Sequence, residues 1–404
     1  LLTTLKPPLR VALFTDTFFE ANGVATLSRH LADFAKDNGF PFLVVRGGKQ
    51  TSLTRNGCVE TLELKRGAAS FPVDKSLYCD PLLMRYRQFV VDQLAAFKPD
   101  LVHITGPGDL GFLGLSVSHI LHVPLVASWH TNLHEYLSRR LDRLLRFLPK
   151  KVRDSASALV ERESLRGLLR FYKTARFTLA PNEMLVNLLE TRNNRPAFLM
   201  PHGVDLSQYA PSKNADCRRP FCIGYVGRLT TEKNIRFLVE LDRKLAAAGE
   251  TDYRFLIVGE GGQQGWLKKN LPGAEIPGVL RGQELADAYK QMDAFVFPSL
   301  TDTFGLVILE AMASGVPVVL SPETGMRVGI RDGISGFLSC DFTASLKRLM
   351  HNRELRLEMG KAARKFANTQ SWNGVFESLY QTYSEGITIS DKQRAERQAH
   401  VRVS

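Results

Sequence analysis

The sequence predicts an α/β protein made of two doubly wound, Rossmann-like domains, and three observations predict it. Short apolar runs recur along the whole chain and alternate with helical stretches, the pattern of parallel sheets covered on both faces. Each half opens the same way, with an apolar strand, a glycine-bearing turn and a helix. Between the halves, residues 201–220 are rich in Pro, Asn, Asp and Ser, which suits a boundary better than an element.

In the first half, residues 10–15 (RVALFT) form the opening strand, Asn22 and Gly23 the turn, and residues 24–38 a helix stopped by Gly39. Residues 43–45, 101–104, 125–128 and 178–180 read as further short buried strands. In the second half, residues 221–226, 255–258, 294–297 and 318–320 play the same part. Residues 371–383 form an aromatic-bearing helix, and the charged stretch from Ser390 onward is expected to fray. The chain thus divides into an N-terminal domain over 1–205 and a C-terminal domain over 206–379, with a helix over about 380–404 returning to the first. Doubly wound sheets take ligands beyond the carboxyl ends of their strands, so a cleft between two facing domains is the expected site.

At 404 residues, 44% hydrophobic and 23% charged, the chain is long enough for two full cores. Cys58, Cys79, Cys217, Cys222 and Cys340 are odd in number and follow no metal-ligand spacing, which reads as free thiols in a reducing, cytoplasmic compartment. Neither a secretory leader nor a membrane span is expected, since the longest apolar passage, 110–128, is broken by His119, His122 and Pro124. The net charge of +12 is concentrated: residues 138–176 hold twelve Lys or Arg, among them Arg139, Arg140, Arg143 and Arg146, against four Asp or Glu. Leu137, Leu141, Leu144, Leu145 and Leu148 interleave with them at helical spacing. Two readings stand open: an amphipathic helix on an anionic membrane surface, or a solvated helix covering the core with its arginine stems. A nucleic-acid-binding protein would also explain a pI near 9.5, but it calls for aromatics among the charges, and here the interleaved residues are mostly leucines.

Residues 299–317 (SLTDTFGLVILEAMASGVP) carry the most chemistry. From Phe304 to Ala313 the only ionisable side chain is Glu310, and an unpaired charge inside an apolar helix is costly. Asp302 lies in the loop ahead of it with seven residues between, so both carboxylates can face one site. The first free N–H groups of the helix, near Gly305, Leu306 and Val307, favour an anion there. Carboxylates for hydroxyls beside amides for phosphate suggest a sugar nucleotide; the alternative is a structural Glu310 paired with an Arg elsewhere.

After the first strand of the second half, Gly227-Arg228-Leu229-Thr230-Thr231-Glu232-Lys233 places two cations five positions apart where a ligand is expected. Arg grips phosphate bidentately and Lys adds a point charge, a pair able to stabilise a leaving diphosphate with no metal ion. The alternative is a surface Arg and a helix-start Lys. The chain has no Asp-X-Asp of the kind that holds a divalent cation, so neither metal nor cofactor is expected beyond the nucleotide sugar itself. Gly259-Glu260-Gly261 with Gly265 follows a strand, but its spacing is not that of a dinucleotide fingerprint and reads as a tight strand-to-helix turn.

Arg228 with Lys233, the Val258-Gly259-Glu260-Gly261 turn, Phe297-Pro298-Ser299 and the segment 302–315 resemble the donor-binding half of the family 4 retaining glycosyltransferases, whose fold is GT-B. Asp16, Asn22-Gly23-Val24, Gly106-Pro107-Gly108 and Trp129-His130-Thr131 resemble the family's first half, and Pro201-His202-Gly203-Val204-Asp205 its interdomain stretch. The family usually carries Glu-X7-Glu, and here the first position is Asp302. The resemblance implies that Arg228 and Lys233 neutralise the diphosphate of a nucleotide-sugar donor and that Glu310 binds its ribose hydroxyls. Asp302, with the amides after Phe304 at Gly305 and Leu306, would hold the hexose. The Gly23 turn would approach the diphosphate, and His130 would hydrogen-bond the transferred sugar near its reacting carbon. Residues 279–283, Arg281 among them, would lie near the base, with guanine and uracil both open. The implied chemistry is front-face transfer, the leaving phosphate oxygen accepting the acceptor's proton.

Residues 130–136 (HTNLHEY), followed by the basic helix, are similar to mannosyl- and sulfoquinovosyl-transferring members that glycosylate membrane lipids. This implies a GDP-mannose or UDP-hexose donor and a lipid acceptor, with the enzyme peripheral on the inner face of the cell membrane and no nucleic acid as partner. A soluble sugar or polysaccharide acceptor is the alternative.

Overall fold

The computed structural model describes residues 8–403 apart from 21, 75–76, 135–137, 139–140, 142–144, 146–148, 212–219, 300–301, 303–304, 323 and 325–328. The chain forms two compact units, one running to Pro201 and resuming at Val375, the other His202–Gly374. The change-over expected after residue 205 falls after 201 because residues 202–205 are tied to the second unit. Val204 N–H donates to Gln370 O at 2.8 Å, and Trp372 packs so closely on Gly203 that a Cβ there would meet the indole at 2.6 Å.

In the first unit, strands β1 (Val11–Thr15), β2 (Phe42–Gly48), β3 (Ser52–Asn56) and β4 (Val59–Lys65) are followed by a hairpin of β5 (Phe71–Asp74) and β6 (Leu77–Cys79). Then come β7 (Leu101–Ile104), β8 (Leu125–Ser128), β9 (Phe177–Ala180) and β10 (Ala197–Leu199). The main sheet has the order β10-β9-β8-β7-β1-β2-β4-β3, parallel except where β3 meets β4. Strands β1, β7, β8 and β9 are buried at every position, which is why they read as apolar runs. Strand β3 is mostly exposed and β4 mixes Glu and Thr with buried Val59, Leu62 and Leu64, so neither reads as a run.

Helix α1 (Gly23–Asp37) opens one residue earlier than expected because Asn22 Oδ1 accepts the Ala25 N–H at 2.9 Å, an N-cap that makes Gly23 the first helical residue. It buries Leu27, Leu31 and Phe34 and stops at Gly39, whose φ is 67°. Helices α2 (Arg87–Phe97), α3 (Asp109–Leu121), α4 (Lys150–Tyr172) and α5 (Glu183–Asn193) complete the crossovers.

The second unit has β11 (Phe221–Val226), β12 (Tyr253–Val258), β13 (Glu275–Gly278), β14 (Ala294–Phe297), β15 (Val318–Leu320) and β16 (Gly336–Leu338). Their order is β13-β12-β11-β14-β15-β16, parallel throughout. Helices α6 (Arg236–Ala247), α7 (Gln264–Asn270), α8 (Gly282–Lys290), α9 (Leu306–Ala313), α10 (Phe342–His351) and α11 (Arg353–Ala367) connect and cover them.

Helix α12 (Trp372–Val403) is continuous where fraying was expected from Ser390. Packing explains the difference. Phe376 and Tyr380 lie against Phe34, Gly386 against Phe177, Ser390 is buried, and Asp391 pairs with Arg176 at 2.8 Å. Among the described residues, no helix is long and apolar enough to cross a membrane.

Candidate functional site

In the second unit the strand order reverses between neighbours β11 and β14, and the crevice at their carboxyl ends is where a doubly wound sheet takes its ligand. The loop after β11 carries Arg228 and Lys233; the loop after β14 carries Asp302. Lys233 Nζ donates to Asp302 Oδ1, and both side chains are largely buried. Thr230 Oγ1, Ser299 Oγ and Asp302 Oδ2, all in these two loops, are buried without a hydrogen-bond partner among the described residues. Buried polar atoms are normally paired, so three without a partner among the described residues make these adjacent loops a candidate place for a polar ligand.

The Arg228 loop is fixed from below and from the side. The Tyr225 hydroxyl donates to Arg228 O at 3.2 Å, and its ring stacks on Phe297 at 6.4 Å. Burial pushes that hydroxyl's pKa well up, the Asp302 carboxylate adds to this and Arg228 opposes it, so both charges act on one ring. From the side, a Cβ at Gly259 would sit 2.0 Å from Gly227 O, and one at Gly261 would sit 2.3 Å from Leu229 O. Leu229 N–H donates to Glu260 O at 2.8 Å and Gln263 N–H to Leu229 O at 2.9 Å. The glycines that imitate a dinucleotide fingerprint serve this close backbone approach.

Helix α9 opens at Gly305, whose φ of 68° lies in the left-handed region. Its first-turn amides, at Leu306 and Val307, precede any intrahelical acceptor. Glu310, partly accessible, accepts the Tyr289 hydroxyl at 2.8 Å and is hydrogen-bonded by the Tyr209 hydroxyl. Burial raises its pKa while the two hydroxyls lower it. Glu310 is therefore satisfied by tyrosines, and among the described residues it has no cationic partner. Arg281 stands exposed between β13 and α8 and makes no hydrogen bond or ion pair with this group among the described residues. Phe304 and the four arginines Arg139, Arg140, Arg143 and Arg146 lie outside the described residues. A separate cavity of about 390 Å³, lined by Met292, Pro317, Arg356 and Arg364, opens at the amino ends of β14 and β15, the opposite end from Lys233.

Gly23 and His130 belong to the first unit, whose strand order reverses between β1 and β7. Asp16, just past β1, accepts the Leu110 N–H at 3.0 Å at the start of α3. Burial pushes its pKa up to about 6, against the pull of that N–H, with Asp109 adding and Arg66 opposing. His130 follows β8 with Nε2 2.7 Å from Ser128 Oγ, and burial pushes it down to about 4, so it is neutral near pH 7. Behind Ser128 stand His103 and Tyr383. The sequence reading missed Tyr209, Tyr289, His103, Ser128 and Tyr383. His103 in LVHI and Ser128 in LVAS did carry a signal, since a polar residue in a fully buried strand must find a partner.

Two family models match the chain: Glycosyltransferase Family 4 over residues 21–208 and Glycosyl transferases group 1 over residues 220–352. The sulfoquinovosyl transferase SQD2 of Arabidopsis thaliana is 29% identical over 97% of this chain and 76% of that protein. A GDP-mannose-dependent alpha-mannosyltransferase of Corynebacterium glutamicum is 27% identical over 95% of this chain and 91% of that protein. Among solved structures, the sucrose-phosphate synthase of Thermosynechococcus elongatus superposes with a TM-score of 0.68 at 18% identity, covering 94% of this chain and 100% of that one. The Anabaena protein Alr3699/HepE in complex with UDP-glucose does so with 0.65 at 16% identity, covering 93% and 99%.

Proposed function

Because the chain belongs to the family 4 glycosyltransferases and has the GT-B fold, we propose that this hexosyltransferase uses GDP-mannose or a UDP-hexose and transfers the hexose with retention, without a metal ion, to a hydroxyl of a membrane lipid. The observation that carries the reading is the Lys233–Asp302 pair at the reversal of strand order, with Thr230 Oγ1, Ser299 Oγ and Asp302 Oδ2 unpartnered beside it. Arg228 and Lys233 take the diphosphate. As the sugar C–O bond breaks, negative charge grows on the leaving phosphate oxygen, and fixed cations stabilise it more than they stabilise the bound donor. Glu310, oriented by its two tyrosines, accepts from the ribose hydroxyls. Asp302 and the amides at Gly305 and Leu306, with Phe304 preceding them, hold the hexose, and Arg281 lies toward the base. Gly23 approaches the diphosphate, and His130 donates to a hydroxyl of the transferred sugar. The acceptor hydroxyl attacks from the face that the phosphate leaves, and its proton passes to the leaving oxygen.

The relative from Corynebacterium, by its name GDP-mannose-dependent, supports the choice of donor. The twelve-to-four cationic excess over residues 138–176, with Val152 and Leu159 exposed on α4, supports a membrane surface as the place of work, on the cytoplasmic side. The test is transfer from GDP-mannose, UDP-glucose, UDP-galactose and ADP-glucose, with and without EDTA, to anionic liposomes containing diacylglycerol or to soluble oligosaccharides. Transfer to lipid from a GDP- or UDP-sugar that survives EDTA is expected. Loss of turnover in EDTA overturns the metal-free reading, and transfer only to oligosaccharides overturns the lipid acceptor.

A further inference from the structure

The cavity at the amino ends of β14 and β15 is lined by the second unit alone. One face of α11 and its carboxyl end supplies Leu357, Lys361, Arg364 and Asn368 at helical spacing, with Lys365 beside them. Gly360 on that face lets the helix close on the turn after α9, since a Cβ there would sit 2.2 Å from Gly315 O. Three of the lining cations have carboxylate partners: Lys290 with Asp287, Lys361 with Glu358, and Arg356 with Asp293. Arg364 and Lys365 have none among the described residues. The carboxyl ends of α8 and α9 reach the cavity at Lys290 and Ser314, and each counts for roughly half a negative charge. Two unmatched cations against about one negative charge leave an excess that calls for an anion.

Arg364 Nη1 donates to Tyr209 O and Ala313 O, and Nη2 donates to Leu206 O at 3.3 Å. Its Nε–H and one Nη2 hydrogen have no acceptor among the described residues. Burial pulls this guanidinium below its ordinary pKa, a shift that a bound anion opposes. Ser314 also lines the cavity; it is 4% exposed, and its Oγ has no hydrogen-bond partner among the described residues. Capping α9 accounts for the carbonyl bonds of Arg364, but for neither Lys365 nor this hydroxyl.

We propose that this cavity is a second ligand site, for a small soluble phosphomonoester, and that its occupancy is coupled to the crevice of Lys233 and Asp302. A phosphomonoester carries close to two charges near pH 7 and accepts from several donors at once, which suits a guanidinium edge, an ammonium and a hydroxyl together. The volume of about 390 Å³ is that of a small-molecule site. The coupling runs through Arg364 and Ser314. Ser314 N–H donates to Glu310 O at 3.0 Å, and Arg364 holds the carbonyl of Tyr209, whose hydroxyl bonds the Glu310 carboxylate. An anion that draws on Arg364 and Ser314 therefore acts on both supports of Glu310. The coupling, unlike the binding, rests on the reading of Glu310 as a ligand of the donor.

The experiment is calorimetric titration of the full chain with glycerol 3-phosphate, after saturating GDP or UDP has filled the other crevice. Saturable binding is expected, with none for glycerol. Lys365→Glu, a change at an exposed side chain, should weaken it by about tenfold or more, and Ser314→Ala by less. No binding to the parent, or parental affinity in Lys365→Glu, overturns the site. Binding to phosphatidic acid vesicles but not to glycerol 3-phosphate overturns it as well, because the ligand is then a membrane lipid. By linkage, saturating glycerol 3-phosphate should change the Kd for GDP or UDP by about fivefold or more in the parent and leave it unchanged in Lys365→Glu at the same concentration. An unchanged Kd in a parent that binds glycerol 3-phosphate overturns the coupling. Parental nucleotide affinity in Glu310→Gln would instead remove the reading of Glu310 as a donor ligand while the site itself stands.

Discussion

At the reversal of strand order the second unit collects charge and the first collects neutral groups. Arg228, Lys233, Asp302 and Glu310 stand in loops or a short helix around one crevice, with buried polar atoms left over. At the corresponding carboxyl ends of the first unit, His130, Ser128, His103 and Tyr383 form a line in which no member needs a charge. On the reading proposed above, the same topology would serve two ligand chemistries. A diphosphate carries charge that only cations or oriented amides balance, whereas a sugar offers hydroxyls that neutral partners match without a large desolvation cost.

The sharpest way to break this comparison is to remove the cations. Arg228→Ala and Lys233→Ala are each expected to lower kcat by about 10²–10³, the cost of losing one fixed stabiliser of developing charge, with the fold intact and a lower melting temperature only in Lys233→Ala, which leaves Asp302 without its partner. Steady-state turnover with whichever sugar nucleotide supports transfer reads this directly, and near-parental kcat in both variants would reduce the second crevice to a structural ion pair. Asp302→Ala should separate from them. It frees Lys233 for phosphate, so affinity for free GDP or UDP is maintained while the intact sugar nucleotide loses its added affinity.

A smaller effect is expected at Glu310, where the carboxylate is oriented by hydroxyls. Glu310→Gln keeps an acceptor but loses charge-assisted bonding to the ribose, and the Kd for the nucleoside diphosphate should rise about tenfold to a hundredfold. Tyr289→Phe and Tyr209→Phe, which loosen the carboxylate without removing it, should each shift the Kd less than Glu310→Gln does. Calorimetric titration of the three variants tests the order, and parental affinity in Glu310→Gln would return that residue to a structural role.

The two crevices also differ in how far they could be read from sequence. Lys233 and Asp302 each follow an apolar strand by a few residues, so local spacing and the rule of carboxyl-end binding found them. Glu310 was legible as a lone carboxylate in an apolar helix, but its partners were not, because Tyr209 and Tyr289 lie far from it in sequence and Tyr is common in cores. The line behind His130 joins residues 103, 128, 130 and 383, and no periodicity links β7 to a helix 280 positions later. The strands tell the same story. Doubly buried β1, β7 and β11 were found as apolar runs, while the edge strands left no such trace, β3 being mostly exposed and polar and β13 (EIPG) being half exposed and ending in Pro277-Gly278.

The smallest expected effect concerns Asp16, a buried acid of the first unit beside the Arg66–Asp109 pair. Its folded pKa is raised to about 6, chiefly by burial, so the folded chain binds this proton more tightly than the unfolded chain does. Its contribution to stability is full below the ordinary aspartate value near about 4 and is lost as pH rises toward about 6, because ionisation then costs the folded state. Asp16→Asn keeps an oxygen for the Leu110 N–H and cannot ionise. The variant should match the parent near pH 4 and exceed it at pH 7.5 by about 1 kcal/mol, reduced from the full shift because the carboxyl is partly accessible. That corresponds to a few degrees in melting temperature. Thermal melts of both proteins at the two pH values decide the matter: a gain that grows between them means that the first crevice favours the neutral form at Asp16. An equal or falling gain means that Asp16 is held ionised by Arg66 and the Leu110 N–H, and the contrast between the two crevices then stops at the histidine line.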